Sequence, residues 1–106
     1  MDLPKTQIKG LKARFMEYLE EMGGFSPRTI ETYATDAFFP LRHNIGIDFW
    51  ECLKAENGLT VIEAALLKHF ELNRTKSVKP EHRTKGYMTS ISHFRDFLVE
   101  RHPNLL

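Results

Sequence analysis

The chain has 106 residues, of which 42% are hydrophobic and 11% aromatic, so it can form one domain with its own core but not two. Its single cysteine, Cys52, excludes an intrachain disulfide, and no apolar run approaches the ~18 to 20 residues of a membrane span. The amino-terminal segment lacks the apolar centre of a secretion signal. We therefore predict a single cytoplasmic domain over residues 1–106, with no membrane association.

Charge is unevenly distributed along the chain. The net charge is only +1, which favours neither a polyanionic nor a polycationic partner. Between residues 74 and 85, however, five cations stand against one carboxylate, and the rest of the chain is net acidic. The five cations are Arg74, Lys76, Lys79, Arg83 and Lys85. Such a cluster is typical of phosphate-binding surfaces, although a solvated loop between helices can have it too.

The first predicted helix follows a flexible tail over residues 1–5. Apolar residues recur at i, i+3, i+4 and i+7 from about Thr6 to Met22, which predicts an amphipathic helix. Glycines at positions 23 and 24 end it, because glycine tolerates the left-handed conformation common at helix ends.

The second helix has the clearest start in the sequence. Ser26 can accept hydrogen bonds from free backbone N–H groups, and Pro27 suits the first helical position. The helix should stop or kink near Phe39, because Pro40 has no N–H to donate to the preceding turn. Residues 41–47 fit either a bent continuation or a loop.

Two further helices are predicted in the centre of the chain. Asp48 can cap a short third helix, which Gly58 would end. Thr60 and Glu63 have the spacing of a capping box and would open a fourth helix. Its predicted inward residues are Val61, Ala65, Leu66 and Phe70.

The last helix is predicted from about Pro80 to His102, after a polar connection over residues 73–79. Its predicted inward residues are Tyr87, Ile91, Phe94 and Leu98. No segment alternates with period two, so no strand is predicted. The predicted fold class is therefore all-α, a compact orthogonal bundle of four longer helices plus one short helix.

Residue patterns of enzymes and metal proteins are absent from the sequence. The five histidines form no pair at i, i+3 or i+4, Cys52 has no CxxC partner, and no glycine-rich phosphate loop is present. We therefore predict no cofactor, no metal site and no catalytic residue.

One polar face of the second helix can bind an anion. Arg28, Thr32 and Thr35 fall at i, i+4 and i+7, near a helix start whose free N–H groups favour negative charge. A phosphate would suit this position, and an ordinary solvated helix face is the alternative.

Two motifs give the chain a family resemblance. The start of the second helix matches G-x-S-x-x-T-I-x-x-Y-x-x-D at Gly24, Ser26, Thr29, Ile30, Tyr33 and Asp36. The last helix approximates a second motif at Thr84, Ser90, Ile91, Phe94, Phe97 and Leu98. Over about Ile8 to Arg101, the chain resembles the N-terminal core-binding (SAM-like) domain of the tyrosine recombinases, or phage integrases.

The resemblance implies a non-catalytic domain that grips duplex DNA opposite a separate C-terminal catalytic domain. By resemblance, the DNA-binding residues would be Ser26, Arg28, Thr29, Thr32, Lys76, Lys79, Arg83 and Lys85. Residues 102–106 would begin the linker to the catalytic domain, whose Arg, His-x-x-Arg and Tyr set is absent here. The implied partners are double-stranded DNA, that catalytic domain and other recombinase protomers on the same DNA.

Two other functions fit the same sequence. A small helical protein-interaction domain would bind no duplex, and a targeting domain would serve another DNA enzyme such as a nuclease. The recombinase hypothesis requires the helix starts at Ser26 and Pro80 to lie side by side on one anion-binding surface. In that case Thr32, Thr35 and Thr89 are candidates for reading base edges.

Overall fold

Seven helical segments make up the computed structural model, which describes residues 5–74 and 78–106. The α-helices are α1 (Lys5–Met22), α2 (Pro27–Ala37), α3 (Phe39–Arg42), α4 (Phe49–Lys54), α5 (Gly58–Leu72) and α6 (Pro80–Arg101), and a 3-10 helix covers Pro103–Leu105. The described ranges contain no strand, which confirms the predicted all-α class. Within them, every helix is too short or too polar to span a lipid bilayer.

The region around Pro40 forms an extra short helix. Helix α2 ends at Ala37, Phe38 leaves the helical geometry, and α3 then starts with Pro40 in its first turn. Proline is tolerated there, because the N–H groups of a first turn have no helical partner to lose. The bundle therefore has four longer and two short α-helices, and a loop follows Arg42.

The start of α5 differs from the prediction. Gly58 is the first residue of α5 rather than the end of α4. The cap position is Asn57, and its side chain makes no capping hydrogen bond. The capping box predicted at Thr60 is therefore wrong. The buried face is shifted as well. Ile62 is fully buried, whereas Val61 is 46% exposed.

A cluster of aromatic rings forms the centre of the core. The Phe94 ring of α6 lies 5.3 Å from that of Phe15 in α1 and 4.8 Å from that of Phe38 at the end of α2, measured between centroids. Phe49 and Trp50 of α4 pack against the same ring, at 6.3 and 6.2 Å. Phe94 thereby joins α1, α2, α4 and α6, and it orients α2 against α6.

The two ends of the chain were predicted as a tail and a linker. Of the tail over residues 1–5, residues 1–4 lie outside the described ranges, and Lys5 already belongs to α1. At the other end, residues 102–106 are ordered on the domain rather than extended away from it. Leu105 and Leu106 are half-buried against the core.

Candidate nucleic-acid interface

The start of α2 is built by Ser26 and Thr29. The Ser26 Oγ accepts a hydrogen bond from the backbone N–H of Thr29 at 3.1 Å, and the two hydroxyl oxygens are 2.9 Å apart. This confirms the predicted cap. Both hydroxyls therefore already have a role in shaping the helix start, one that does not need a ligand.

The residues of the first family motif mostly shape the fold. Gly24 has φ +83°, a conformation that other residues rarely adopt, and Ile30 is buried. The Tyr33 ring stacks on the His93 ring of α6, with centroids 5.2 Å apart. Asp36 is half-buried at the end of α2.

The second motif shows the same pattern more strongly, since all six of its residues are buried: Thr84, Ser90, Ile91, Phe94, Phe97 and Leu98. Even the Thr84 hydroxyl is used internally, because it donates to the carbonyl oxygen of Pro80 at 2.7 Å. The motif residues are thus those that a helical bundle of this kind needs for packing.

Helices α2 and α6 pack against each other, but their starts lie apart. The ring of Phe25, just before α2, lies 5.7 Å from the His93 ring of α6, measured between centroids. His93 is thirteen residues beyond Pro80, or about 20 Å along the helix. The expectation that the two helix starts lie together is therefore wrong, because Phe25 packs on His93 and not beside Pro80.

The name α2–α6 face is used here for five exposed polar residues of these two helices and their starts: Arg28, Thr32, Lys79, Lys85 and Thr89. Arg28 lies near the start of α2, while Lys79 and Lys85 lie near the start of α6. None of the three forms an ion pair with a carboxylate in the described part of the chain. The Thr89 hydroxyl donates to the Lys85 carbonyl oxygen at 3.1 Å, which leaves the exposed Thr32 as the more available hydroxyl.

Arg83 is held against the protein. Its guanidinium lies 4.3 Å from the centroid of the Phe70 ring and 5.7 Å from that of Tyr87. Burial raises the pKa of the nearby Asp36 carboxyl, and the charges of Arg42 and Arg83 partly offset that rise. Arg83 thus has aromatic and carboxylate neighbours, contrary to the expectation of a free phosphate ligand.

The cationic segment does not form one patch. Lys79 and Lys85 border a groove of about 470 Å³ between α5 and α6 that also contains Glu63 and Glu81. Arg83 faces Phe70 and the end of α2 instead. Lys76 lies outside the described residues. The charge excess seen in the sequence is therefore divided between surfaces and partly balanced by carboxylates.

Three cations that the sequence analysis did not select meet around another groove. Lys9 and Lys12 of α1 and Arg42 of α3 line it, and no carboxylate does. The three-residue spacing of the two lysines would have placed them on one face of α1. Arg42 gave no such signal, since it falls in the segment whose structure the sequence left open.

The histidine, cysteine and carboxylate side chains of residues 5–74 and 78–106 are dispersed over the structure. No three His, Cys, Asp or Glu side chains in these ranges come together as metal ligands. The pKa of the Cys52 thiol is raised by burial and by the nearby Asp48 and Glu51, which disfavours the nucleophilic thiolate.

Comparison with known proteins gives no relative for this chain. It matches no protein-family model, no curated protein and no solved structure.

Proposed function

We propose that this chain is a non-catalytic domain that binds duplex DNA through the α2–α6 face, with its cations distributed over the two helices rather than gathered at adjoining helix starts as the recombinase hypothesis required. On this proposal, a separate domain of the parent protein would carry the Arg, His-x-x-Arg and Tyr set that recombination needs. The domain here would position the DNA for that partner and would not itself react.

One observation carries the proposal. Exposed cations occur on both helices of the pair, Arg28 near the start of α2 and Lys79 and Lys85 near the start of α6, outside any ion pair with a described carboxylate. Lys54 and Arg101 are paired, with Glu51 and Glu21 respectively, whereas Lys9, Arg14 and Arg42 on other elements are exposed and outside such pairs as well. Cations without a protein partner are the ones that can neutralise phosphates.

On this proposal the cations would contact phosphates of a duplex whose major groove is ~12 Å wide. Arg28 and Lys85 would contact the DNA backbone, and the exposed Thr32 would be the candidate for contact with base edges. The phosphate contacts would fix the position, and any sequence preference would depend on the hydroxyl.

Fluorescence anisotropy with a labelled duplex of about 25 base pairs at ~50 mM salt tests the proposal. We expect weak, salt-sensitive binding that Arg28→Glu and Lys85→Glu each reduce. Arg14→Glu is the matched control, because Arg14 is an exposed cation on α1 that lines a different groove with His102 and Leu105. It should leave binding nearly unchanged.

Two outcomes would contradict the proposal. Absence of duplex binding at low salt would favour the protein-interaction alternative, and an equal loss of binding in all three variants would indicate non-specific attraction. The recombinase assignment has its own test, which is the coding sequence that follows Leu106 in the gene. A nuclease motif there would leave the DNA-binding proposal standing and replace the recombinase by another DNA enzyme.

A further inference from the structure

The α1–α3 groove is an open cleft lined by three apolar and three cationic residues: Ile8, Phe38, Leu41, Lys9, Lys12 and Arg42. It has a volume of about 490 Å³. Phe38 forms its buried floor, and Ile8 and Leu41 are half-buried beside it. Ile8 and Leu41 remain partly in contact with water, so covering them would be favourable.

All charge on the groove is positive. Lys9 and Arg42 are exposed, Lys12 is half-buried, and no carboxylate is among the lining residues. Because the whole chain has a net charge of only +1, three cations around one cleft are a local excess. The half-buried position of Lys12 indicates that its aliphatic stem lines the cleft while its ammonium group stays at the rim.

We propose that the α1–α3 groove is a docking site for an acidic, amphipathic helical segment of a partner protein. The apolar side chains of that segment would cover Ile8, Phe38 and Leu41, and its carboxylates would pair with the three cations. This matches the way amphipathic helices bind apolar grooves, with charge at the rim fixing orientation and partner choice. The inference does not depend on DNA binding by the α2–α6 face.

Duplex DNA fits this groove less well than such a segment does. A DNA backbone offers phosphates to Lys9, Lys12 and Arg42 but no apolar group to cover Ile8 and Leu41. A fatty acid would supply both a carboxylate and an apolar chain. However, the cleft is open along its length, whereas a small ligand is usually enclosed over most of its surface.

The test uses the full chain labelled with ¹⁵N and a synthetic helix-forming peptide of about 14 residues, rich in glutamate and with leucines at i, i+4 and i+7. We expect the amide signals of residues 8–12 and 38–42 to shift during titration. The double variant Lys9→Glu/Lys12→Glu should weaken binding tenfold or more, and Leu41→Ser should weaken it as well. Arg14→Glu, which reverses a charge on the same helix outside the groove, should bind like the unmodified protein.

Peptide controls separate the apolar and ionic contributions. Replacing the leucines by serine, or the glutamates by lysine, should abolish the shifts. The proposal is overturned if the glutamate-leucine peptide causes no shift at about 1 mM, which corresponds to ~4 kcal/mol of binding free energy. It is also overturned if the shifts lie elsewhere, or if laurate or duplex DNA shifts the groove signals at lower concentration than the peptide does. Unchanged thermal unfolding of each variant shows that the fold is retained.

Discussion

The Asp36 carboxyl at the end of α2 lies close enough to Arg83 of α6 to feel its charge, although the two form no ion pair in the described structure. Burial raises the pKa of this carboxyl, and the charges of Arg42 and Arg83 lower it by less, so the net direction is upward. Attraction by the two arginines therefore does not offset the cost of removing the carboxylate from water.

Asp36→Asn should consequently stabilise the domain slightly at neutral pH. A carboxyl whose pKa is raised on folding binds its proton more tightly in the folded state, so its contribution to stability falls as pH rises through the folded-state pKa. The variant and the parent should have the same free energy of unfolding near pH ~3, and that of the variant should become increasingly larger towards pH ~6. The difference should stay well under ~1 kcal/mol, because the carboxyl is only half-buried. Urea denaturation across this pH range measures it, with the exposed Glu31→Gln as control. A variant less stable at neutral pH would mean that attraction by Arg42 and Arg83 outweighs the burial.

The sequence predicted those elements whose signals are local. The periodicity of α1 and α6, and the Ser26 cap of α2, depend only on neighbours a few residues away, and the structure confirms them. Asp48 likewise caps α4, accepting from the N–H of Glu51 at 3.2 Å. Where the signal was local, the element's position was predictable to about two residues.

Contacts between distant residues account for what the sequence could not predict. The position of α2 along α6 depends on Phe25 and Tyr33 meeting His93, some sixty residues later. Arg83 looked like a free cation, since nothing in its own segment indicates that it lies over Phe70. Gly58 was predicted to end a helix, because the sequence around it does not indicate that its backbone lies against the carbonyl of Cys52.

Gly58→Ala tests that last contact. A Cβ atom at this position would overlap the backbone carbonyl of Cys52, so α4 and α5 would have to separate. We expect a loss of ~1 to 3 kcal/mol in the free energy of unfolding, or more. Gly86→Ala in α6 is the matched control, because its added Cβ would meet no atom within 4 Å and should stabilise the helix by up to ~1 kcal/mol. Chemical denaturation of both variants compares them, and equal stabilities would refute the close contact.

Ser26→Ala should cost ~1 kcal/mol of stability, because the N–H of Thr29 loses its acceptor at the start of α2. Ser26→Asp keeps an acceptor at the cap and should retain most of that stability. Thermal unfolding followed by circular dichroism distinguishes them. If both variants lose the same amount, the serine acts through its contact with the Thr29 hydroxyl rather than as a cap.

Phe94→Ala should be among the most destabilising single changes, by ~3 to 5 kcal/mol, since it leaves a cavity among rings from four helices. Val99→Ala, on the same helix but 52% exposed, should change stability by less than ~0.5 kcal/mol. Urea unfolding measures both. A small effect of Phe94→Ala would show that the core can collapse around the missing ring.

The number of phosphates that the α2–α6 face neutralises can be counted from the salt dependence of DNA affinity. Each neutralised phosphate contributes ~0.9 to the slope of log affinity against log salt, so contacts by the three cations of this face predict a loss of about fortyfold between ~50 and ~200 mM. Arg28→Gln should lower the slope by about one unit. Thr32→Ala should leave the slope unchanged, because a hydroxyl releases no counterion, yet it should alter preference among duplex sequences if Thr32 faces base edges. A slope that Arg28→Gln does not change would remove this residue from the interface, even if duplex binding itself persists.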